Sequence, residues 1–134
     1  MKKLTLIFLA TILIGMVSCT KSDDDPPVTI TDYTIKYSVI STGNVVMDTI
    51  KYMDVDGVEK YKIGEANFEH SFVQPSTNYH GKIYISGTIE DGSCNYLLTV
   101  EDKDGGIIEI KENGGSSTSS SSFKWWAEFN HVED

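Results

Sequence analysis

The residue types able to hold a metal, attack a carbonyl or stack on a ligand are few in this chain and lie far apart. Asp54, Asp56, Gly57 and Glu59 form one acidic cluster, and Asp102, Asp104 and Gly105 form a second. Alternating carboxylates before a glycine belong to calcium loops, where they converge on one cation. That template places its first acid two positions before the first aspartate of each cluster and its last acid six positions after the glycine. Those places hold Tyr52 and Ile63 in one case, Val100 and Lys111 in the other. An Asp-Gly hairpin tip accounts for both clusters without a cation, so no metal and no other cofactor is expected. His70, His80 and His131 show no metal-ligand spacing. The serines gather in a Gly/Ser/Thr stretch, and no Gly-x-Ser-x-Gly elbow or phosphate-cradling glycine motif occurs. The chain therefore reads as a non-enzyme.

Two aromatic residues and two cysteines remain. Neighbours on a strand point to opposite faces. If Trp125 fills a core with Phe123 and Phe129, Trp126 points outward. An outward indole stacks on a sugar ring or anchors a protein interface, unless the Ser-rich stretch or a neighbouring strand covers it. Tyr84 is a second outward aromatic. Trp126 and Tyr84 are the candidate binding residues, for a protein or glycan ligand. Cys94 reads as a buried thiol, with a disulfide between protomers as the alternative.

Cys19 has a different setting. Lys2 and Lys3 precede an apolar run over 4–17, too short to span a bilayer as a helix and right for a signal-peptide core. The run ends in Met16-Val17-Ser18-Cys19, which resembles a bacterial lipobox. The resemblance implies cleavage after Ser18, a thioether-linked lipid on Cys19 and acylation of its new amine. More than one acyl chain gives stable attachment, at ~0.8 kcal/mol per buried methylene. Three adjacent carboxylates and two prolines follow, an extended and solvated tether. Ser22-Asp23-Asp24-Asp25 resembles the surface-export signal of Bacteroidetes lipoproteins. That implies an outer-membrane lipoprotein facing outward, the alternative being one that faces the periplasm. The chain divides into a lipoprotein signal peptide at 1–18, a lipidated cysteine and tether at 19–29, and a folded body at 30–134.

The body must position the candidate residues. The chain's 134 residues make one domain, and its 40% hydrophobic content supports a packed core. A net charge of −9 with no arginine excludes a nucleic-acid partner, which needs a basic face. Loss of Lys2 and Lys3 leaves nine lysines against 20 acidic residues. Two cysteines build no disulfide scaffold.

Tyr33, Ile35, Tyr37 and Val39 alternate with polar residues, the period of a half-buried strand. Val46, Ile50 and Tyr52 continue it, with Asp48 interrupting. Asp56-Gly57 marks a hairpin with 58–63 returning. Phe68, His70 and Phe72 share a face. Ile83, Ile85 and Ile89 form a further strand, 90–93 a turn, and Tyr96, Leu98 and Val100 the next strand. After a turn at 102–106 come Ile108 and Ile110, then a mobile loop at 114–122. Phe123, Trp125, Ala127 and Phe129 close the series. Seven to eight antiparallel strands describe an all-β sandwich of immunoglobulin-like type.

The succession Tyr37-Ser38-Val39, then 50–57 with its hairpin, a Phe-bearing strand, an aliphatic strand and a Cys94-bearing strand resembles the mycobacterial MmpS domain and its lipid-anchored Bacteroidetes relatives, over about 33–110. The resemblance implies an immunoglobulin-like sandwich. It also implies the alternative function, an accessory subunit of an envelope transporter. Phe68 stands where that family carries a tryptophan after a proline. Growth in radiolabelled palmitate is expected to label the chain. Cys19→Ala should abolish the label and release the product from the membrane fraction, whereas an unlabelled, secreted wild type would refute the leader's assignment.

Overall fold

The computed structural model describes residues 32–75 and 78–132. The leader 1–18, Cys19 and the tether 19–29 with Ser22, Asp23, Asp24 and Asp25 lie outside the described residues. The body is all β. Its strands are β1 (Asp32–Met53), β2 (Glu59–Lys62), β3 (Phe68–Pro75), β4 (Tyr79–Glu101), β5 (Ile107–Ser117) and β6 (Ser121–His131). Every pairing is antiparallel.

Two long strands carry the architecture. β1 pairs with β4 along nearly its whole length, from Thr34↔Glu101 to Tyr52↔Ile83. On the other edge of β1 its first half takes β3 and its last residues take β2. The other edge of β4 is shared likewise, by β6 on its first half and β5 on its second. One sheet thus runs β3-β1-β4-β5 and the other β2-β1-β4-β6. They face each other. A Cβ on Gly81 of the second sheet would sit 3.1 Å from Ile35 and 3.4 Å from Leu98 of the first. The Lys82 N–H donates across the gap to the Tyr37 hydroxyl (3.2 Å), and the Tyr96 hydroxyl donates to the Trp126 carbonyl (3.1 Å).

Among the described residues the strands number six rather than seven to eight, because β1 and β4 cross from one sheet to the other unbroken. Residues 90–93 are turn-forming types, yet they make no chain reversal. They carry the strand through a bend. The register shifts at Asn44/Val45, where Glu90 is the extra residue of β4, and at Met47/Thr49, where Asp48 is the extra residue of β1. A bulge bends its strand and moves the following side chains to the other face. The buried set of β1 accordingly passes from Tyr33, Ile35, Tyr37 and Val39 to Ile50 and Tyr52. That of β4 passes from Ile83, Ile85 and Ile89 to Cys94, Tyr96, Leu98 and Val100. Val46 lies on the exposed side, with Val45 and Met47 turned inward.

The core joins both inner faces. Ile35, Val39, Ile50, Ile83, Ile85, Leu98 and Val100 have no solvent exposure. Each such side chain contributes roughly 1.5–3 kcal/mol. Surface pairs such as Lys36–Glu101 (2.7 Å) and Lys82–Glu59 (3.2 Å) contribute about 1 kcal/mol at most. Aliphatic burial therefore decides the fold, and the ion pairs trim it.

Two further expectations change. The stretch at 114–122 is not a long loop, because Gly114 to Ser117 continue β5 and Ser121 opens β6. Its small residues serve close approach, since a side chain at Gly114 would overlap Asn95 and one at Gly115 would meet the Trp125 ring at 3.2 Å. Ile108 and Ile110 do not feed the core. They face out, at 44% and 53% exposure, while Glu109 and Lys111 turn toward the other sheet.

At the crease Gly43 and Gly92 are directly paired, at φ 76° and 155°. A Cβ on Gly92 would overlap the Thr42 carbonyl oxygen, whereas one on Gly57 (φ 71°) at the first hairpin tip meets nothing within 4 Å. Gly92→Ala is therefore expected to cost on the order of 3 kcal/mol. Gly57→Ala should cost about 1 kcal/mol, for backbone strain alone. Urea denaturation of both variants checks the difference.

Candidate functional site

The acidic clusters are turns in which Asp54, Asp56 and Asp102 accept from their own backbone. Asp54 Oδ1 accepts from the Val55 N–H (2.8 Å), and Asp56 Oδ1 from the Val58 N–H (3.0 Å) while its other oxygen meets Lys60 (2.8 Å). Asp102 Oδ1 accepts from the Asp104 and Gly106 N–H groups at 2.9 and 2.7 Å. Gly57 and Gly105 supply the positive φ that each turn needs.

The histidines are dispersed. His70 enters an aromatic cluster, 4.8 Å from the Tyr52 ring, and its Nε2 lies 3.0 Å from Asp54 Oδ1. It links β3 of one sheet to the hairpin of the other. His80 Nε2 lies 2.8 Å from Glu128 on β6, and His131 stacks on Tyr79 at 4.9 Å. Burial, with the nearby Glu109 carboxylate that its hydroxyl bonds, pushes Tyr79 up to about 12. Cys94 is a free thiol with no exposure, and burial pushes it up from its ordinary value. Buried and undissociated, it is poorly nucleophilic.

The two candidate binding residues come together. Tyr84 on β4 stands directly opposite Trp126 on β6. Across the other edge of Tyr84 lies Lys51 of β1, and opposite Lys51 lies Tyr61 of β2. Directly opposed residues share a face. The row Tyr61–Lys51–Tyr84–Trp126 therefore crosses all four strands of the second sheet on its outer side, about 14 Å at ~4.8 Å per strand. Trp126 and Tyr61 are each 68% exposed. The Ser-rich stretch does not cover Trp126. Trp125 takes the inner side, stacked on Phe123 at 4.4 Å. The Lys51 ammonium sits 5.8 Å from the Tyr84 ring centre, a weak cation–π contact that holds it over the row.

Lys51 and Tyr61 were not among the residues singled out from the sequence. The hairpin at Asp56-Gly57 brings β2 back beside β1, but a two-residue turn there would set Lys51 against Lys62; the loop of 55–57 between Asp54 and Val58 sets it against Tyr61 instead. The neighbouring rows differ in charge balance. On one side Lys82 pairs with Glu59 (3.2 Å) and Glu128 with His80 (2.8 Å). On the other, Thr49, Ser86 and Lys124 are aligned. The row can offer flat apolar faces flanked by ammonium groups.

Asp54 lies below the ordinary carboxylate range, first through the Val55 N–H and then through His70. A depressed folded-state value stabilises the fold above the unfolded carboxylate range and loses that effect as pH falls through it. Asp54→Asn is thus expected to lower stability by about 0.5–1 kcal/mol at pH 7. The gap from wild type should close below about pH 4, as read by thermal melts at pH 7, 5 and 3. Compared with protein-family models and with curated proteins, the chain matches none.

Proposed function

We propose that this chain is a non-catalytic, lipid-anchored outer-membrane lipoprotein that binds a glycan through the outer face of its second sheet. The observation that supports this reading is the cross-strand row ending in Tyr84 and Trp126. Sugar rings carry one apolar face of C–H groups, and rigid exposed aromatics meet such faces at little entropic cost. Cys19 holds the body to the membrane, and Ser22 to Asp25 direct it to the cell surface, with a periplasm-facing orientation as the alternative. An acidic body at that surface resists adhering to anionic lipid headgroups.

The second reading, an accessory subunit of an envelope transporter, draws support from β5. Its outward Ile108 and Ile110 sit on an edge strand, where a protein partner can extend the sheet.

One experiment separates the two. The full-length lipidated chain in detergent is screened against an oligosaccharide array, beside Trp126→Ala and Tyr84→Ala. The glycan reading expects retained ligands, an affinity loss of roughly tenfold or more for Trp126→Ala, and an unchanged melting temperature. Retention indifferent to both substitutions, with crosslinking in cells capturing a membrane transporter, would replace it by the accessory reading.

A further inference from the structure

We infer that the Trp126 face selects glycans carrying an anionic group, a carboxylate or a sulfate, through Lys51 and Lys124; the inference rests on the glycan reading above. The two lysines flank Tyr84. Lys51 lies directly opposite it on β1, and Lys124 is opposite the buried Ser86, the next residue on that side of β4. Neither forms an ion pair with a described residue. On that face their neighbour Lys82 is paired with Glu59, while Lys60 and Lys62, which oppose Tyr52 and Ile50 and so lie on the other side of β2, are paired with Asp56 and Glu65.

The placement runs against the charge of the whole chain, which is −9. The outer face of the first sheet follows the bulk composition. There Glu69 and Glu101 border a shallow depression with Lys36, and Lys36 is paired with Glu101 at 2.7 Å. Of the four described lysines without a carboxylate partner, Lys51 and Lys124 stand on the aromatic face, Lys103 lies at the β4–β5 turn and Lys111 donates to the Glu128 carbonyl. A neutral sugar would use the rings and leave both lysines idle. An acidic one uses the rings for its apolar side and the lysines for its charge. By strand spacing the two lysine Cα atoms lie about 12 Å apart, close enough for one oligosaccharide to meet both ammonium groups. Lysine is a point charge with rotatable donors, which admits carboxylate and sulfate alike.

The test uses the full-length lipidated chain in detergent and matched oligosaccharides in three forms: free carboxylate, methyl ester and O-sulfated. The free-carboxylate or the sulfated form is expected to bind about tenfold tighter than the ester, and the form that binds identifies the anion. Lys51→Met combined with Lys124→Met should remove that preference and its salt dependence, while Lys103→Met at the β4–β5 turn leaves both intact. Equal binding of the ester, or anionic binding that survives the double substitution, would overturn the selection by charge while leaving the aromatic platform standing. Failure of all three forms to bind would sink the glycan reading itself, and this inference with it.

Discussion

The pairing of β1 with β4 is the constraint on which the rest of the molecule depends. Both strands must serve two sheets that face each other, so both must bend sharply without ending. Two means make that possible. Glu90 and Asp48 are extra residues that break the register, and Gly43 opposite Gly92 lets the two backbones close where no Cβ fits. Each bulge also moves the inward set from one parity to the other. Without that change, Ile50 and Tyr52, or Cys94 to Val100, would face water. The aliphatic core, the facing of Gly81 on Ile35, and the order of strands on the aromatic face all follow from this one crease.

Much of this was legible in the residues. The alternation at 33–39, at 83–89 and at 123–129 reports burial on one face, and the structure buries those residues. Asp56-Gly57 and the 102–106 segment are turns closed by backbone bonds, from Asp54 N–H to the Val58 carbonyl and from Asp102 N–H to the Gly106 carbonyl. Where the reading failed, small polar residues were the cause. Glycine, serine and aspartate serve in a turn, a bulge or a close approach alike, and composition does not say which. At 90–93 they bend a strand, and at 114–117 they let one pass over Asn95 and Trp125. β5 misled for another reason. Its isoleucines are strand formers by local preference, but the mouth of the sandwich demands polar groups there, with Glu109 bonded to the Tyr79 hydroxyl and Lys111 to the Glu128 carbonyl.

The candidate face shows the same division between local and distant information. That Trp126 points away from the core follows from its neighbour's burial and the period of a strand. That β2 returns beside Lys51 follows from the hairpin, but the one-residue step that sets Tyr61 rather than Lys62 opposite it is fixed by the loop of 55–57. That Tyr84 lies between Lys51 and Trp126 depends on pairings between segments more than thirty residues apart, which no local pattern encodes. The face is assembled by topology from residues that are individually ordinary.

The opposed orientation of the two tryptophans has one more consequence. The chain holds two indoles, adjacent in sequence, in different media: one rests on Phe123 beneath Gly115, the other stands in water. Their emission separates accordingly. The solvated ring emits to the red and is open to quenching by iodide, while the shielded ring tracks the integrity of the interior. A molecule settling on the outer face should dim or shift one signal and leave its companion silent, so occupancy and unfolding are readable apart in a single unlabelled sample.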